Sequence, residues 1–162
     1  MDKAIEDKVL ALAELVLAKK LTLCTAESCT GGWISQALTA VAGSSVWFDC
    51  AFVTYSNGAK SRLLNVPEEL LNDPNIGAVS EKTVLAMTEG ALKNSETNAA
   101  VAVSGVAGPG GGSETKPVGT VWIAWQWEDK SVAQRFHFSG DREAVRYATV
   151  LAALDGLLSL LS

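Results

Sequence analysis

The sequence predicts a single α/β domain, a mixed sheet with an antiparallel hairpin, flanked by helices. Three observations carry that expectation. Segments with apolar residues at helical spacing alternate with short apolar or β-branched runs, as successive strand–helix units require. Two alternating runs, 118–127 and 131–138, are separated only by Glu128, Asp129 and Lys130, the pattern of a hairpin. The 162 residues, 48% hydrophobic and 19% charged, suit one compact core, so 1–162 is read as one domain.

Ile5, Val9, Leu12, Leu15 and Val16 recur at helical spacing, which predicts an amphipathic helix over 2–20. The run 21–24 predicts a short strand, and 33–41 a second helix, ended by Ala42, Gly43, Ser44 and Ser45. Between them the octapeptide Thr25-Ala26-Glu27-Ser28-Cys29-Thr30-Gly31-Gly32 reads as a strand-to-helix turn. Aromatic and β-branched residues over 47–56 predict a buried strand that empties into Tyr55, Ser56, Asn57 and Gly58. Short helices follow at 59–64, carrying Lys60, and at 67–71, with Pro67 in the first turn. Ser80 caps a helix over 81–93. The small, continuous apolar run 99–104 predicts a strand buried on both faces, leading into a glycine-rich stretch at 105–112. After the hairpin, Ser139, Gly140 and Asp141 start a final helix with Val145, Ala148, Leu151, Leu154, Leu157 and Leu158 on its apolar side.

Composition narrows the partners. The net charge is −5 and no Lys/Arg run is present, which argues against nucleic acid. Cys24, Cys29 and Cys50 have no paired spacing, so a reducing, cytoplasmic setting is expected. Charges interrupt the first twenty residues and no run reaches membrane-spanning length, so neither a signal peptide nor a membrane partner is expected. With one histidine and no metal-binding spacing, a metal site is not expected either.

The octapeptide gathers three hydroxyls, a thiol, a carboxylate and two glycines where backbone N–H groups at a helix start can hold an anion. A plain helix start, capped by Ser28 or Thr30, is the alternative. The stretch 105–112 is neither a P-loop nor a dinucleotide fingerprint, yet its glycines suit an anion-binding nest better than a linker. Arg142 and Arg146 share a helical face near an N-terminus, a small cost unless an anion lies between them; a solvated pair is the other reading. His137, between Phe136 and Phe138, faces away from the side those rings bury, and without it no Ser-His-Asp arrangement exists. Cys29 is a candidate nucleophile, its thiol expected to acidify at a helix start. Cys24, Cys50 and the tryptophans Trp33, Trp47, Trp122, Trp125 and Trp127 read as packing residues.

Five segments in order resemble the CinA C-terminal domain family: the octapeptide 25–32; Val53-Thr54-Tyr55-Ser56-Asn57 with Lys60; Gly77-Ala78-Val79-Ser80; 104–109 continuing to 116–121; and Gly140-Asp141-Arg142. The likeness spans nearly the whole chain and is closest to the stand-alone nicotinamide-nucleotide amidohydrolases of the family; the N-terminal domain of longer members has no counterpart in these residues. It implies deamidation of nicotinamide mononucleotide to the nicotinate nucleotide and ammonia, in pyridine nucleotide recycling, with no metal or organic cofactor. On that basis Ser28 attacks the carboxamide, and Lys60 or Tyr55 moves the proton. Both bases titrate near about 10 when free, and burial lowers lysine but raises tyrosine, so Lys60 suits the task better. The implied substrate-binding residues are Thr30 and Gly31 near the oxyanion, Ser104, and the glycine loop with Gly105, Gly108, Gly111 and Gly112 at the phosphate, Arg142 or Arg146 supplying charge. A homo-oligomer acting on a small-molecule nucleotide is expected. A nucleotide-binding protein without catalysis and a Cys29-dependent amidase are the alternatives.

Overall fold

The computed structural model describes residues 1–162 and has the order α1 (Lys3–Lys19), β1 (Leu23–Glu27), α2 (Trp33–Thr39), β2 (Phe48–Val53), α3 (Asn57–Leu64), α4 (Glu68–Asn72), α5 (Glu81–Lys93), β3 (Ala99–Gly105), β4 (Thr120–Trp127), β5 (Lys130–His137) and α6 (Arg142–Leu161). The five strands form one sheet in the order β2-β1-β3-β4-β5. β2, β1 and β3 run parallel, and β4 and β5 add an antiparallel hairpin, as the sequence predicts.

Strand alternation sorts side chains onto two faces. Leu23, Val101, Val103, Val121, Ile123 and Trp125 belong to a core of 22 buried residues shared with α1, α2 and α6. Cys24, Ala26, Ala100, Ala102 and Ala124 face the other way, into a core of 11 buried residues shared with α3, α4 and α5. Small strand residues on that second face let α5 approach the sheet. Because β2 and β3 leave β1 in opposite directions, the crevice past the carboxyl end of β1 is a switch point, where open α/β sheets receive ligands.

Several boundaries differ from the sequence expectation, each for a local reason. β1 continues through Thr25, Ala26 and Glu27, because it lies between two partners that pair with it up to Glu27; the turn proper is 28–32. β2 is an edge strand whose residues alternate between half-buried and exposed, rather than a fully buried one. α2 stops at Thr39, two residues early, and Ser44–Val46 forms a 3-10 turn. α3 begins at Asn57, because the Ser56 hydroxyl accepts from the Ala59 N–H at 3.0 Å and caps it. Pro67 is the N-cap of α4 rather than part of its first turn. The hairpin turn is reduced to Glu128 and Asp129, with Glu128 at φ 57°, and Lys130 opens β5.

α6 is long and apolar enough to cross a membrane by length and composition, which the sequence reading did not anticipate. In the fold its Val145, Val150, Ala153, Leu154 and Leu157 are buried in the larger core. Gly156 lets α6 close on the sheet: a Cβ there would stand 2.0 Å from Trp125 Cε2, while Trp125 Nε1 donates to the Ala153 carbonyl at 2.9 Å. Gly156→Ala is therefore expected to cost about 1–3 kcal/mol through overpacking, read as a lower urea midpoint at unchanged m-value.

Candidate active site

The site is built on the ends of β1 and β2, and one carboxylate fixes its shape. α2 has Gly32 at its N-cap, which offers no side chain. Glu27, fully buried, supplies the missing acceptor: Oε1 accepts the Ile34 N–H at 2.9 Å and the Thr30 hydroxyl at 2.6 Å, and Oε2 accepts the Ser35 N–H at 2.9 Å and the Thr25 hydroxyl at 3.3 Å. Neither Ser28 nor Thr30 caps the helix, so the capped-start alternative takes a form the sequence reading did not weigh. The turn between strand and helix is tight enough to need Gly31 at φ 60° and Gly32 at φ 101°.

With Glu27 on the α2 face of the sheet, strand alternation turns Ser28 to the opposite face, toward α3. There Lys60, 1% exposed, presents Nζ to Ser28 Oγ at 3.0 Å, to the Thr54 carbonyl at 3.0 Å and to the Tyr55 carbonyl at 3.1 Å. Burial pushes the Lys60 ammonium down from 10.5 to about 8. The two carbonyls can only accept, so they claim two N–H bonds whatever the protonation state. The third position on nitrogen is left for Ser28. Neutral Lys60 thus aims its lone pair at the Ser28 hydroxyl, the geometry that a nucleophile and its base require.

The other candidates are placed as follows. The Tyr55 side chain is 61% exposed and its hydroxyl accepts from Arg142 Nη2 at 2.9 Å, without a hydrogen bond to Ser28 or Lys60. Burial pushes the Cys29 thiol up to about 12, with the Glu27 carboxylate adding in the same direction. This reverses the acidification expected at a helix start: the helix N-terminus already holds a carboxylate, and the thiol is shut off from water. The Gly31 N–H is engaged by the Ser28 carbonyl at 3.0 Å, while the N–H groups of Cys29 and Thr30 have no backbone acceptor. His137 is exposed on β5, as the sequence predicts, with its ring nitrogen 3.1 Å from the Val118 carbonyl.

Arg146 clamps the Ser28 turn, donating from Nε to the Cys29 carbonyl at 3.1 Å and from Nη2 to the Thr30 carbonyl at 2.9 Å, with its guanidinium 5.5 Å from the Trp33 ring centre. Arg142 Nη1 donates to the Gly108 carbonyl at 2.7 Å, tying α6 to the glycine loop. A cleft of about 670 Å³ opens here, with Ala107, Pro109, Val118, Gly140, Arg142 and Arg146 in its wall, together with the acidic Asp141 and Glu143. Ser104 is buried at the end of β3, and Gly105 has no room for a Cβ beside Val121. Gly108 takes φ 85° against Val118, whereas Gly111 and Gly112 are exposed.

Residues 5–161 match the model of the CinA C-terminal domain. The chain belongs to the CinA C-terminal domain family. Among curated relatives, the nicotinamide-nucleotide amidohydrolase PncC of Pseudomonas putida is 59% identical over 136 residues, covering 84% of each chain. The protein of the same name from Escherichia coli K12 is 49% identical over 147 residues, covering 90% of this chain and 88% of the relative. The crystal structure of the competence/damage inducible protein CihA from Agrobacterium tumefaciens superposes with a TM-score of 0.96 at 43% identity, covering 100% of this chain and 98% of that one. The sheet and flanking helices are thus the architecture of this CinA domain family.

The sequence reading gave Glu27 no role. Its signal is a helix start at 33 preceded by two glycines and lacking a Ser, Thr, Asp or Asn cap, which demands an acceptor from elsewhere. Glu27→Gln would place an NH₂ donor against donors it now serves, and is expected to cost about 2–4 kcal/mol in guanidinium denaturation. Amide exchange at Ile34 and Ser35 should accelerate in the same variant.

Proposed function

We propose that this chain hydrolyses the carboxamide of nicotinamide mononucleotide, giving nicotinate mononucleotide and ammonia within cytoplasmic pyridine nucleotide recycling. The observation that carries the chemistry is the 3.0 Å contact between Lys60 Nζ and Ser28 Oγ inside a buried compartment. The substrate is suggested by the names of relatives at 49% and 59% identity.

Lys60 takes the Ser28 proton as Oγ bonds to the carboxamide carbon, and the carbonyl oxygen becomes an oxyanion. The unengaged N–H groups of Cys29 and Thr30 are the donors for that charge, in place of the Gly31 N–H. As the C–N bond breaks, the Lys60 ammonium protonates the departing nitrogen and ammonia leaves. Water then adds to the ester carbon, giving a proton to Lys60, and the C–Oγ bond breaks as that proton returns to Ser28. The sum is amide plus water to acid plus ammonia.

Arg142 borders the cleft and supplies charge for the 5′-phosphate together with the glycine loop, while Arg146 chiefly shapes the Ser28 turn. The high position of the Cys29 thiol argues against a cysteine nucleophile. A homo-oligomer belongs to this reading because β2 leaves an open edge flanked by Val46, 67% exposed, and Val53, 45% exposed, and proteins ordinarily cover such edges. Light scattering of the purified protein tests it; a monomer at micromolar concentration would remove the expectation.

Purified protein is expected to release ammonia from nicotinamide mononucleotide, with the nicotinate nucleotide identified by mass. Ser28→Ala should lower kcat by at least about 10³-fold while folding normally. A folded Ser28→Ala protein with full turnover would remove the covalent serine pathway, and wild-type protein that binds the nucleotide without releasing ammonia would favour the binding role. Since neutral Lys60 is the reactive form and its pKa is depressed to about 8, activity is lost as pH falls through that value. kcat/KM should rise close to tenfold from about pH 6 to pH 7 and level off above about pH 8.5.

A further inference from the structure

Thr54 Oγ1 is the one buried side-chain polar atom of the chain that finds no hydrogen-bond partner, and Thr54 is fully buried. A lone hydroxyl in a dry interior destabilises the fold, so its location matters. It stands beside the nucleophile. Glu27 pairs with Val53 across the parallel strands, the Thr54 N–H donates to the Glu27 carbonyl at 2.8 Å, and Thr54 is therefore the register neighbour of Ser28. Cys50 and Phe52, at the same parity as Thr54, pack into the α3–α5 core, as Cys24 and Ala26 do at the parity of Ser28. The Thr54 side chain thus belongs to the face on which Ser28 meets Lys60, and its carbonyl already holds Lys60 Nζ at 3.0 Å.

The geometry points to Thr54 as a positioning residue for Lys60, its hydroxyl taking the Lys60 N–H that Ser28 no longer accepts once Ser28 Oγ is esterified. The inference rests on the proposed serine–lysine chemistry. In the resting state Lys60 has three partners, Ser28 Oγ and two carbonyls. Attack on the carboxamide draws Ser28 Oγ away and makes it a poor acceptor, just when Lys60 has become an ammonium with three N–H groups. The two carbonyls keep two of them. The Thr54 hydroxyl is the unengaged acceptor on that face, on the residue whose carbonyl already binds the nitrogen, and it steadies the ammonium until the proton passes to the leaving nitrogen. Other charged groups do not offer this. Glu27 lies on the opposite face with both oxygens occupied, Arg142 and Arg146 are cations bound to carbonyls, and Cys29 stays protonated.

Thr54→Val, nearly isosteric, separates this role from packing. Removing an unpartnered buried hydroxyl should raise Tm, whereas kcat for nicotinamide mononucleotide should fall at least about tenfold at unchanged KM, with Thr54→Ser restoring turnover. A Thr54→Val enzyme with wild-type kcat overturns the inference. A second readout needs no turnover: the Lys60 titration, followed by NMR of ¹³Cε-labelled lysine. In the Ser28→Ala background, where the resting partner is missing, adding Thr54→Val should lower the Lys60 pKa by about one unit more than it does with Ser28 present. Equal effects in both backgrounds overturn the inference even if the wild-type protein releases no ammonia, which by itself would count only against the proposed hydrolysis.

Discussion

The Glu27 carboxylate is the interaction on which the site depends. A helix that begins with two glycines has no side chain to satisfy its first N–H groups, and Glu27 reaches them from the end of the preceding strand. The same two oxygens take the hydroxyls of Thr25 and Thr30, so strand, turn and helix share one acceptor. Arg146 holds the turn from outside through the carbonyls of Cys29 and Thr30. Between these two clamps the Ser28 backbone has little freedom, and its side chain is delivered to a fixed point.

What it meets there is destabilising by design. A lysine nitrogen buried among carbonyls has lost its hydration, and the depressed pKa records that loss. The fold offsets it with apolar packing elsewhere, chiefly the 22-residue core on the far side of the sheet. The smaller core, of 11 residues, accommodates the polar compartment at its edge. The Glu27 clamp and the Ser28–Lys60 contact therefore lie on different faces of one sheet, and the two do not compete for hydrogen bonds.

The element order, the parallel strands and the hairpin were legible because helical and alternating periods are strong over 2–20, 81–93, 99–104 and 118–138. The end of β1 was not. Thr25, Ala26 and Glu27 fall in a stretch that reads as a turn, and only pairing on both sides holds them in extended form. The meeting of Ser28 with Lys60 was implied by resemblance alone, since 32 residues separate them and no local rule joins them. The expected acidification of Cys29 is reversed for a related reason: helix-start chemistry can be read in sequence, but burial and a carboxylate already in place at that helix cannot. Thr54 carried no sequence signal, because an unsatisfied hydroxyl is a property of its surroundings.

The two-residue period of β1 also makes the active centre sensitive to parity. Glu27 and Ser28 are adjacent, so they project to opposite sides, one closing α2 and the other reaching Lys60. A slip of β1 by one residue against β2 and β3 that brings Glu27 to the place of Ser28 would set a carboxylate beside the buried amine and bring Ala26 to the place of Glu27, leaving the helix start without an acceptor. The chain would keep most of its backbone ladder and lose both the Glu27 acceptor at α2 and the Ser28–Lys60 contact at once. Deletions or insertions within β1 should therefore be far less tolerated than their apolar content suggests, and the appearance of activity during refolding would report strand alignment as much as catalysis.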